Sequence, residues 1–302
     1  MVGHTEKFHG IFIAFYAFYD DRGEISPERI GRAARWYVEK GVNGLYLTGS
    51  SGEGMIQSEQ ERKLVVESVM KAVGGKTTVI AQVGAPSTKE SVSLAAHAAA
   101  CGVDGISSVP NIYYRVPEAC IEAYWDAMIT AARIPFFIYN IPDTTGYNVS
   151  MQLFKRMMEK DYVAGFKTTS ESCSLINAMR QAGGPDTVIF NGEDAQLLAG
   201  LSMGATGGIG GTYGCMPELY VKLYEAFQRG DLKDALLWQS RAVHAFMHGR
   251  VPYSGGIASM KAILEARGFE TGGSRAPFLT VPKDTPVIRE AADMIEGWIR
   301  EV

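Results

Sequence analysis

The sequence predicts an α/β fold, a (β/α)8 TIM barrel with a C-terminal helical extension. Short apolar runs alternate with longer segments of helical character eight times along the chain. That alternation is typical of a parallel sheet whose strands are joined by helical crossovers. Eight units suggest closure of the sheet into a barrel, which typically takes ~250 residues. The chain has 302 residues, so the sequence beyond the eighth unit is left for an extension.

The predicted strands are short apolar runs of a length that suits buried parallel strands. A competing doubly wound sheet would carry a glycine fingerprint directly after its first strand. Residues 16–20 occupy that position with Tyr-Ala-Phe-Tyr-Asp and contain no glycine, which favours the barrel. In chain order the predicted strands cover residues 10–15, 44–48, 77–83, 104–109, 136–140, 163–167, 187–191 and 206–210.

The predicted helices between the strands carry recognisable start signals. Residues 27–40 form the first helix, with Ser26 as N-cap and Pro27 at the first helical position. The second begins at about Ser58 and has Glu61 three residues further on, the pattern of a capping box. Later helices are predicted over residues 89–101, 117–133 and 195–203.

The chain beyond about residue 230 has the pattern of further helices separated by glycine-containing loops. Those loops cover residues 254–256 and 272–277, and no low-complexity linker sets this region apart. We therefore predict a (β/α)8 barrel catalytic domain over residues 1–228. A helical extension over residues 229–302 is expected to pack on that barrel.

Composition and charge exclude several classes of function. The chain is 46% hydrophobic and 21% charged, the balance of an ordinary globular protein with a large core. A net charge of −4 and the lack of a basic stripe argue against a nucleic-acid partner. No run approaches the ~18 apolar residues of a membrane span, and residues 1–8 are polar. We therefore expect no membrane association and a cytoplasmic location.

The cysteines and histidines do not predict a metal centre. The four cysteines are widely spaced, unlike those of a zinc site. His244 and His248 have the i,i+4 spacing of a metal pair, yet the acid of His-Glu-x-x-His is missing between them. In a cytoplasmic enzyme, reduced and mostly buried thiols are expected at Cys101, Cys120, Cys173 and Cys215.

Two chemically active side chains, Tyr139 and Lys167, stand at the ends of consecutive predicted strands. A lysine among apolar neighbours is costly to keep charged. In its neutral form the amine attacks carbonyl carbons and forms Schiff bases. A nearby phenol could pass protons to and from such an adduct. Because barrel enzymes place their chemistry where strands end, the two residues predict a carbonyl-handling lyase.

The other strand ends add groups that suit a carboxylate. The second strand is followed by Gly-Ser-Ser-Gly-Glu-Gly at 49–54, where hydroxyls and exposed amides could hold a carboxylate. The Gly-x-Ser-x-Gly motif of a serine hydrolase would need glycine where Glu53 stands. A carboxylate cradle, an amine and a phenol on one rim suit a 2-keto acid. The remaining strand ends lead to residues 113–115, 191–194 and 207–213.

These motifs resemble the N-acetylneuraminate lyase / dihydrodipicolinate synthase family of pyruvate-dependent class I aldolases, nearer the neuraminate lyase branch. The likeness runs over nearly the whole chain and rests on four motifs in order at strand ends. It implies a Schiff-base carbon–carbon lyase or aldolase. The motifs are Gly-Ser-Ser-Gly-Glu at 49–53, Tyr-Asn-Ile-Pro at 139–142, Gly-Phe-Lys-Thr at 165–168 and Gly-Gly-Ile-Gly at 207–210.

The resemblance also implies roles for individual residues. Lys167 would form the imine with pyruvate, so that no separate cofactor and no metal is needed, and Tyr139 would shuttle protons above it. Ser50 and Ser51 would hold the pyruvate carboxylate, and Ser50 would also join a proton relay. Tyr113 resembles the relay tyrosine that family members insert into a neighbouring subunit, which implies a homotetramer built from two tight dimers. The candidate substrate-binding residues are Ser50, Ser51, Thr169, Gly192, Asp194, Gly210 and Gly211.

Departures from the family motifs bear on the second substrate. Synthases that resemble this chain carry Arg two residues after the proline of Tyr-Asn-x-Pro. Thr144 stands there and cannot make a bidentate carboxylate contact. Neuraminate lyases carry Asp-Glu where this chain has Asp194-Ala195, and Ser where it has Gly211. Thr169 matches their hydroxyl after the lysine, so the acceptor pocket is expected to be nearer to that of sugar-acid lyases.

We expect cleavage or formation of a 2-keto acid, with a 2-keto-3-deoxy sugar acid such as N-acetylneuraminate as the first candidate. One alternative is condensation of pyruvate with aspartate semialdehyde, as in dihydrodipicolinate synthase. A second is an aldolase or dehydratase that acts on another 2-keto-3-deoxy sugar acid. A non-catalytic keto-acid-binding barrel is a third, and a metal-dependent barrel aldolase is a weaker fourth.

Overall fold

The computed structural model describes residues 5–170, 172–252 and 254–301, and eight parallel strands form a closed barrel at its centre. The strands are β1 (Gly10–Ala14), β2 (Gly44–Leu47), β3 (Thr78–Gln82), β4 (Gly105–Ser108), β5 (Phe136–Asn140), β6 (Val163–Thr168), β7 (Val188–Asn191) and β8 (Gly207–Gly210). β1 pairs with both β2 and β8, which closes the sheet without a free edge. The predicted fold class is therefore confirmed, and each strand end lies within one residue of its predicted position.

Helices join the strands in sequence and continue beyond the barrel. They are α1 (Pro27–Glu39), α2 (Glu59–Val73), α3 (Thr88–Ala100), α4 (Glu118–Ala132), α5 (Pro142–Thr145), α6 (Met151–Met158), α7 (Cys173–Gly183), α8 (Leu197–Ser202), α9 (Pro217–Gln228), α10 (Leu232–Gly249), α11 (Gly256–Ala266) and α12 (Pro286–Arg300). Short 3₁₀ turns occupy Thr5–Phe8, Gly54–Ile56, Asp194–Gln196 and Thr212–Gly214.

The predicted start signals of α1 and α2 are confirmed. The Ser26 hydroxyl accepts a hydrogen bond from Arg29 N at 3.3 Å, and proline occupies the first turn of α1. At α2, the Ser58 hydroxyl accepts from Glu61 N at 3.3 Å, and the Glu61 carboxylate accepts from Ser58 N at 2.8 Å. Together these two bonds form the capping box and satisfy amides that the first helical turn leaves unpaired.

The helix predicted over residues 195–203 begins later than expected. Residues Asp194–Gln196 form a 3₁₀ turn, and α8 starts only at Leu197. An aspartate in this position could cap a helix, but the Asp194 carboxylate instead accepts hydrogen bonds from Thr212. Asp194 is therefore tied to the end of β8 and does not cap α8.

Aromatic rings fill the barrel interior beneath the strand ends. Phe12 packs edge-on against Phe190 with ring centroids 5.0 Å apart, and Phe8 packs edge-on against Phe137 at 4.9 Å. All four rings are buried, and edge-to-face pairs add to the stability that burial provides. The rings form a rigid plug, above which the strand ends carry the polar residues of the site.

The C-terminal helices pack on the barrel and reach its open end. α10 packs against α9, and α12 packs against α10 and α11. α10 and α11 also contact the 3₁₀ turns that follow β7 and β8. The division into domains at residues 228 and 229 stays a prediction, and its outer limits, residues 1 and 302, lie outside the described residues. Across the described part of the chain, no helix is both long and apolar enough to cross a membrane.

Candidate active site

Lys167 lies near the C-terminal end of β6, inside the barrel. Every residue of β6 is buried, and Lys167 is 4% exposed. Its Nζ lies 3.6 Å from the centroid of the Tyr139 ring and 4.9 Å from that of the Tyr46 ring. Aromatic faces attract an ammonium group, so the two rings hold the amine in place. The nucleophile predicted from the sequence is thus buried and fixed in position.

Tyr139 on β5 is the direct strand neighbour of Lys167. Burial raises the pKa of the Tyr139 phenol, but the charge of Lys167 and hydrogen bonds with Lys167, Thr169 and Ser50 outweigh burial. The net result is a pKa below the ordinary value of 10.0. A phenol with a lowered pKa gives up and takes back its proton more readily at neutral pH. The surroundings of Tyr139 therefore suit a proton-transfer group.

Residues 49–54, the serine loop, turn sharply after β2 and present Ser50 and Ser51 to a cavity at the barrel mouth. Thr48 and Glu53 flank the two serines with left-handed backbone angles, φ 53° and 54°. Such angles are uncommon for residues with a Cβ atom and persist only where the surroundings enforce them. Glu53 N donates to the carbonyl of Ser50 at 3.0 Å, which closes the turn. The two hydroxyls are therefore presented from a defined turn.

Asp194 lies between the ends of β7 and β8. Its Oδ2 accepts hydrogen bonds from Thr212 N at 2.6 Å and from Thr212 Oγ1 at 2.7 Å. Its Oδ1 is enclosed and has no hydrogen-bond partner among the residues that the structure describes. Burial raises the pKa of the Asp194 carboxyl to about 6, against the opposing effect of the Thr212 hydrogen bonds. Oδ1 is shielded from the cavity, although Asp194 forms part of the cavity wall.

Glycines bring the strand ends close together around the cavity. A Cβ on Gly192 would lie 2.4 Å from Thr169 Oγ1, and a Cβ on Gly211 would lie 2.9 Å from Ser51 Oγ. Gly210 is buried and does not line the cavity, because it sits beside the Asp194 carboxylate. Side chains at the first two positions would push into the hydroxyls that face the cavity. Glycine therefore keeps this part of the rim open.

The cavity has a volume of about 370 Å³, within the usual range for a small-molecule site. It brings together most of the residues predicted from the sequence. Those that line it are Lys167, Tyr139, Ser50, Ser51, Thr169, Gly192, Asp194 and Gly211.

The sequence reasoning missed the wall that the C-terminal extension contributes. α10 supplies apolar side chains, including Phe246 and Met247, and α11 supplies Met260. Arg250, just beyond α10, also lines the cavity. The helical spacing of the apolar residues on α10 indicates a buried stripe, but nothing in that pattern tells which surface it faces. Tyr46 was missed as well, although the alternation of β2 could have placed it inside the barrel.

Two residues singled out in the sequence lie away from this cavity in the single chain. Tyr113 is 91% exposed in the loop between β4 and α4. Its backbone is left-handed at φ 73°, and its ring packs edge-on against Tyr114 with centroids 5.1 Å apart. Thr144 lies on the exposed side of α5 and does not line the cavity.

The groups around the cavity allow a particular kind of chemistry. An amine and a phenol meet at the bottom of the cavity, the two serines line it, and Asp194 forms part of its wall. An amine so placed can add to a carbonyl carbon, while a phenol within reach can carry protons. Hydroxyls and amides of the serine loop can donate hydrogen bonds to a carboxylate. Together these groups suit covalent chemistry on a keto acid.

Comparisons with known proteins agree with this capacity. The model of the "Dihydrodipicolinate synthetase family" matches residues 7–292 of the chain. The chain is 43% identical over 295 residues to an N-acetylneuraminate lyase of Mediterraneibacter gnavus, covering 97% of this chain and 94% of the relative. It is 32% identical to an N-acetylneuraminate lyase of Rhizobium meliloti, covering 97% of each.

The chain is also similar to solved structures over nearly its whole length. The wild-type sialic acid aldolase of Ruminococcus gnavus superposes with a TM-score of 0.95 at 42% identity, covering 98% of this chain and 99% of that one. A Clostridium difficile protein called CdNal, solved in complex with mannosamine, superposes with a TM-score of 0.88 at 28% identity. That match covers 96% of this chain and 98% of the other.

Proposed function

The chain belongs to the dihydrodipicolinate synthetase family, and from that membership we propose that it is a Schiff-base lyase that cleaves N-acetylneuraminate. The products would be pyruvate and an N-acetylated amino sugar, and the same site would run the reverse condensation. The proposal draws on two relatives with that printed name, both covered over nearly their whole length. The chain is an aldolase-type lyase of this family, and the sugar acid is the part that we propose.

The observation that carries the proposal is the placement of Lys167 against Tyr139 at the bottom of the cavity, with Nζ 3.6 Å from the ring centroid. In the cleavage direction, the Lys167 amine adds to the C2 carbonyl of the open-chain sugar acid and one water leaves as the imine forms. The protonated imine then accepts the electron pair of the C3–C4 bond as that bond breaks. Such an electron sink stabilises the charge that develops in the transition state.

Proton transfers complete the cycle. The Tyr139 phenolate takes the proton of the C4 hydroxyl as the aldehyde leaves, which its lowered pKa favours. The enamine that remains takes a proton at C3. One water then hydrolyses the imine, releases pyruvate and restores the Lys167 amine. The water lost on imine formation is thus balanced by the water consumed at the end.

The rest of the cavity would bind the two ends of the substrate. We assign the carboxylate to Ser50 and Ser51, whose hydroxyls lie on the same rim as Lys167. The polyol tail would meet Thr169 and the backbone of Gly192 and Gly211. The apolar wall from α10 offers a surface for the methyl of the N-acetyl group, because Phe246 and Met247 line the cavity there.

A synthase that condenses pyruvate with aspartate semialdehyde remains the second candidate, and one observation bears on it. Arg250 lines the cavity and is the cation that a second carboxylate would need. Thr144 offers no such group and lies outside the cavity. A dehydratase of another 2-keto-3-deoxy sugar acid would use the same imine. A non-catalytic barrel would keep the cavity but release no pyruvate.

Assembly and location are further parts of the proposal. An exposed tyrosine with a left-handed backbone, as at Tyr113, is costly in an isolated chain. We therefore propose that Tyr113 enters the site of a neighbouring subunit in a homotetramer made of two tight dimers, where it would extend a relay through Ser50 to Tyr139. A cytoplasmic setting is supported by four cysteines that are all unpaired.

Borohydride trapping tests the reaction class directly. Incubation with pyruvate and borohydride should add the mass of a reduced pyruvate adduct to Lys167. A coupled assay for released pyruvate, run with N-acetylneuraminate, other 2-keto-3-deoxy sugar acids and aspartate semialdehyde plus pyruvate, then ranks the substrates. A chain that gains no mass with pyruvate would refute the Schiff-base mechanism. Labelling without turnover of any of these substrates would instead favour the non-catalytic barrel.

A further inference from the structure

A buried ion pair joins the serine loop to the C-terminal extension. Lys261 Nζ on α11 lies 2.9 Å from Glu53 Oε1, and the two side chains are 1% and 0% exposed. The partners are separated by 208 positions in the sequence. Glu53 directly follows the Ser-Ser-Gly segment of the serine loop. The pair thus ties two distant parts of the chain together at the edge of the cavity.

Hydrogen bonds and an aromatic ring surround the ion pair. Glu53 Oε2 accepts hydrogen bonds from the Tyr19 hydroxyl and from Arg275 N, each at 3.0 Å. The Tyr19 ring also meets both cations, with Lys261 Nζ 4.7 Å and the Arg275 guanidinium carbon 4.5 Å from its centroid. Both carboxylate oxygens of Glu53 are therefore engaged. A carboxylate with this many charge-assisted contacts has one well-defined position.

The position of Glu53 constrains Ser50 and Ser51 because all three residues belong to one tight turn. Glu53 N donates to the carbonyl of Ser50 at 3.0 Å, and the left-handed backbone at Glu53 fixes the turn. On the other side, Met260 precedes Lys261 and lines the cavity. Its methyl lies 3.3 Å from the Cβ site of Gly211, which is itself 2.9 Å from Ser51 Oγ. α11 therefore contacts the serine loop through Lys261 and lies near it through Met260.

Stability alone is a poor reason for such a pair. The cost of removing two charges from water often equals what their attraction returns, so an apolar pair of similar volume would serve a core equally well. A charged pair does fix geometry, because only one arrangement satisfies both partners. Here the fixed geometry lies within two residues of a hydroxyl that faces the cavity.

We propose that Glu53 and Lys261 are positioning residues for carboxylate binding: the pair holds the serine loop where Ser50 and Ser51 can grip the carboxylate of pyruvate. This inference rests on the proposed Schiff-base function and deepens it. Neither residue touches the substrate or the reacting atoms. Their effect is confined to how tightly the carboxylate end is bound, so the rate at saturating pyruvate stays close to that of the wild type.

The test measures two quantities for labelling of Lys167 by pyruvate and borohydride. One is the pyruvate concentration that gives half-maximal labelling, and the other is the labelling rate at saturation. Lys261→Met should raise the half-saturating concentration about tenfold, as expected for loss of a charge-assisted contact. The rate at saturation should stay within about twofold. Tyr19→Phe removes only the hydroxyl that donates to Glu53 and should raise half-saturation about threefold.

Glu218→Gln is the matched control. Arg267 Nη2 lies 3.0 Å from Glu218 Oε1, with side chains 4% and 10% exposed, so this buried pair also holds the extension to the barrel. Neither partner lines the cavity. The control should lower the midpoint of thermal unfolding and leave half-saturation by pyruvate unchanged. A merely structural role for Lys261 would make Lys261→Met behave in the same way, and that result would overturn the proposal.

Failure of the positioning role can be distinguished from failure of the Schiff-base function. If Lys261→Met does not fold, Tyr19→Phe decides, and an unchanged half-saturation there overturns the positioning role. A wild type that is not labelled refutes the Schiff-base function itself. Calorimetric titration with pyruvate then replaces labelling, and equal affinity of the wild type and Tyr19→Phe again overturns the positioning role. A wild type that neither binds pyruvate nor is labelled overturns both.

Discussion

Tyr139 and Lys167 are paired residues on adjacent strands, and the amine of one lies 3.6 Å from the ring centroid of the other. The register of β5 and β6 therefore sets the distance between the proposed nucleophile and the proposed proton carrier. A shift of one residue in either strand would turn one of the two side chains to the outside of the barrel.

Lys167→Ala and Lys167→Arg should both abolish pyruvate-dependent turnover and borohydride labelling. Alanine has no amine, and the guanidinium of arginine stays charged at working pH and forms no imine. Mass spectrometry after trapping measures the loss. Lys222→Ala is the control, because Lys222 also lies over an aromatic ring, that of Trp238, but outside the cavity. Labelling that persists in either Lys167 variant would move the imine to another lysine.

Tyr139→Phe should lower kcat by about 10²–10³, because a positioned acid-base group typically contributes 10²–10⁴-fold. Imine trapping should survive in part, since the amine remains. Tyr46→Phe is the comparison: it keeps the second ring near Lys167 and removes a hydroxyl that donates to Ser107 at 3.0 Å. Its kcat should fall by less than about tenfold. Near-normal kcat in Tyr139→Phe would make Tyr139 a packing residue only.

Asp194 should make stability depend on pH. Its folded-state pKa of about 6 lies above the ordinary value of 3.8, so the folded chain holds the proton more tightly than the unfolded chain. The resulting stabilisation is complete below about pH 4 and is lost as pH rises through about 6. At ~1.4 kcal/mol per pKa unit, the full loss is about 3 kcal/mol. Denaturant unfolding of the wild type and Asp194→Asn at pH 4.5, 6 and 7.5 measures it.

The asparagine variant serves as its own reference, because it cannot ionise at this position. The free energy of unfolding of the wild type relative to Asp194→Asn should fall between pH 4.5 and 7.5. Other titrating groups affect both proteins alike and cancel in the difference. A difference that stays constant would show that Asp194 keeps its ordinary pKa when folded, and one that grows with pH would show that folding lowers that pKa.

N-acetylneuraminate should be cleaved with a higher kcat/KM than aspartate semialdehyde is condensed with pyruvate. The exposed Thr144 offers no bidentate contact to a second carboxylate. Arg250→Met distinguishes the two substrates further, since Arg250 is the cation along the cavity wall that a dicarboxylic aldehyde would use. A preference for the semialdehyde that disappears in Arg250→Met would show that the acceptor pocket serves a synthase.

Tyr113→Phe should lower the activity about tenfold or more and leave assembly intact, because the proposed relay needs the hydroxyl whereas the proposed packing needs only the ring. Tyr114→Phe is the matched control, since Tyr114 is also largely exposed, at 73%. It should keep both properties. Sedimentation at micromolar concentration measures assembly and should show no stable monomer. A fully active monomer would remove both the interface and the relay.

The sequence was most informative about the position of residues with distinctive chemistry at strand ends. Lys167, Tyr139 and the serines could be placed on one rim because parallel strands of a barrel all end on the same side. The apolar wall from α10 could not be placed, since helical periodicity shows that a face is buried but not what covers it. Glu53 shows the same limit, because its partner Lys261 is 208 positions away. Contacts of that range depend on packing, which local patterns do not contain.

The apolar wall of the cavity has a consequence for how such enzymes diversify. The groups assigned to chemistry lie before residue 214, whereas the apolar wall offered to the N-acetyl group comes from residues 242–260. The proposed imine chemistry and the proposed contact with the N-acetyl group thus depend on separate stretches of the chain. Recombination that exchanges the last stretch could give a new acceptor preference while the imine chemistry is inherited unchanged. Such a graft would have to retain Lys261, because its ion pair with Glu53 joins this part of the chain to the loop proposed to bind the keto acid.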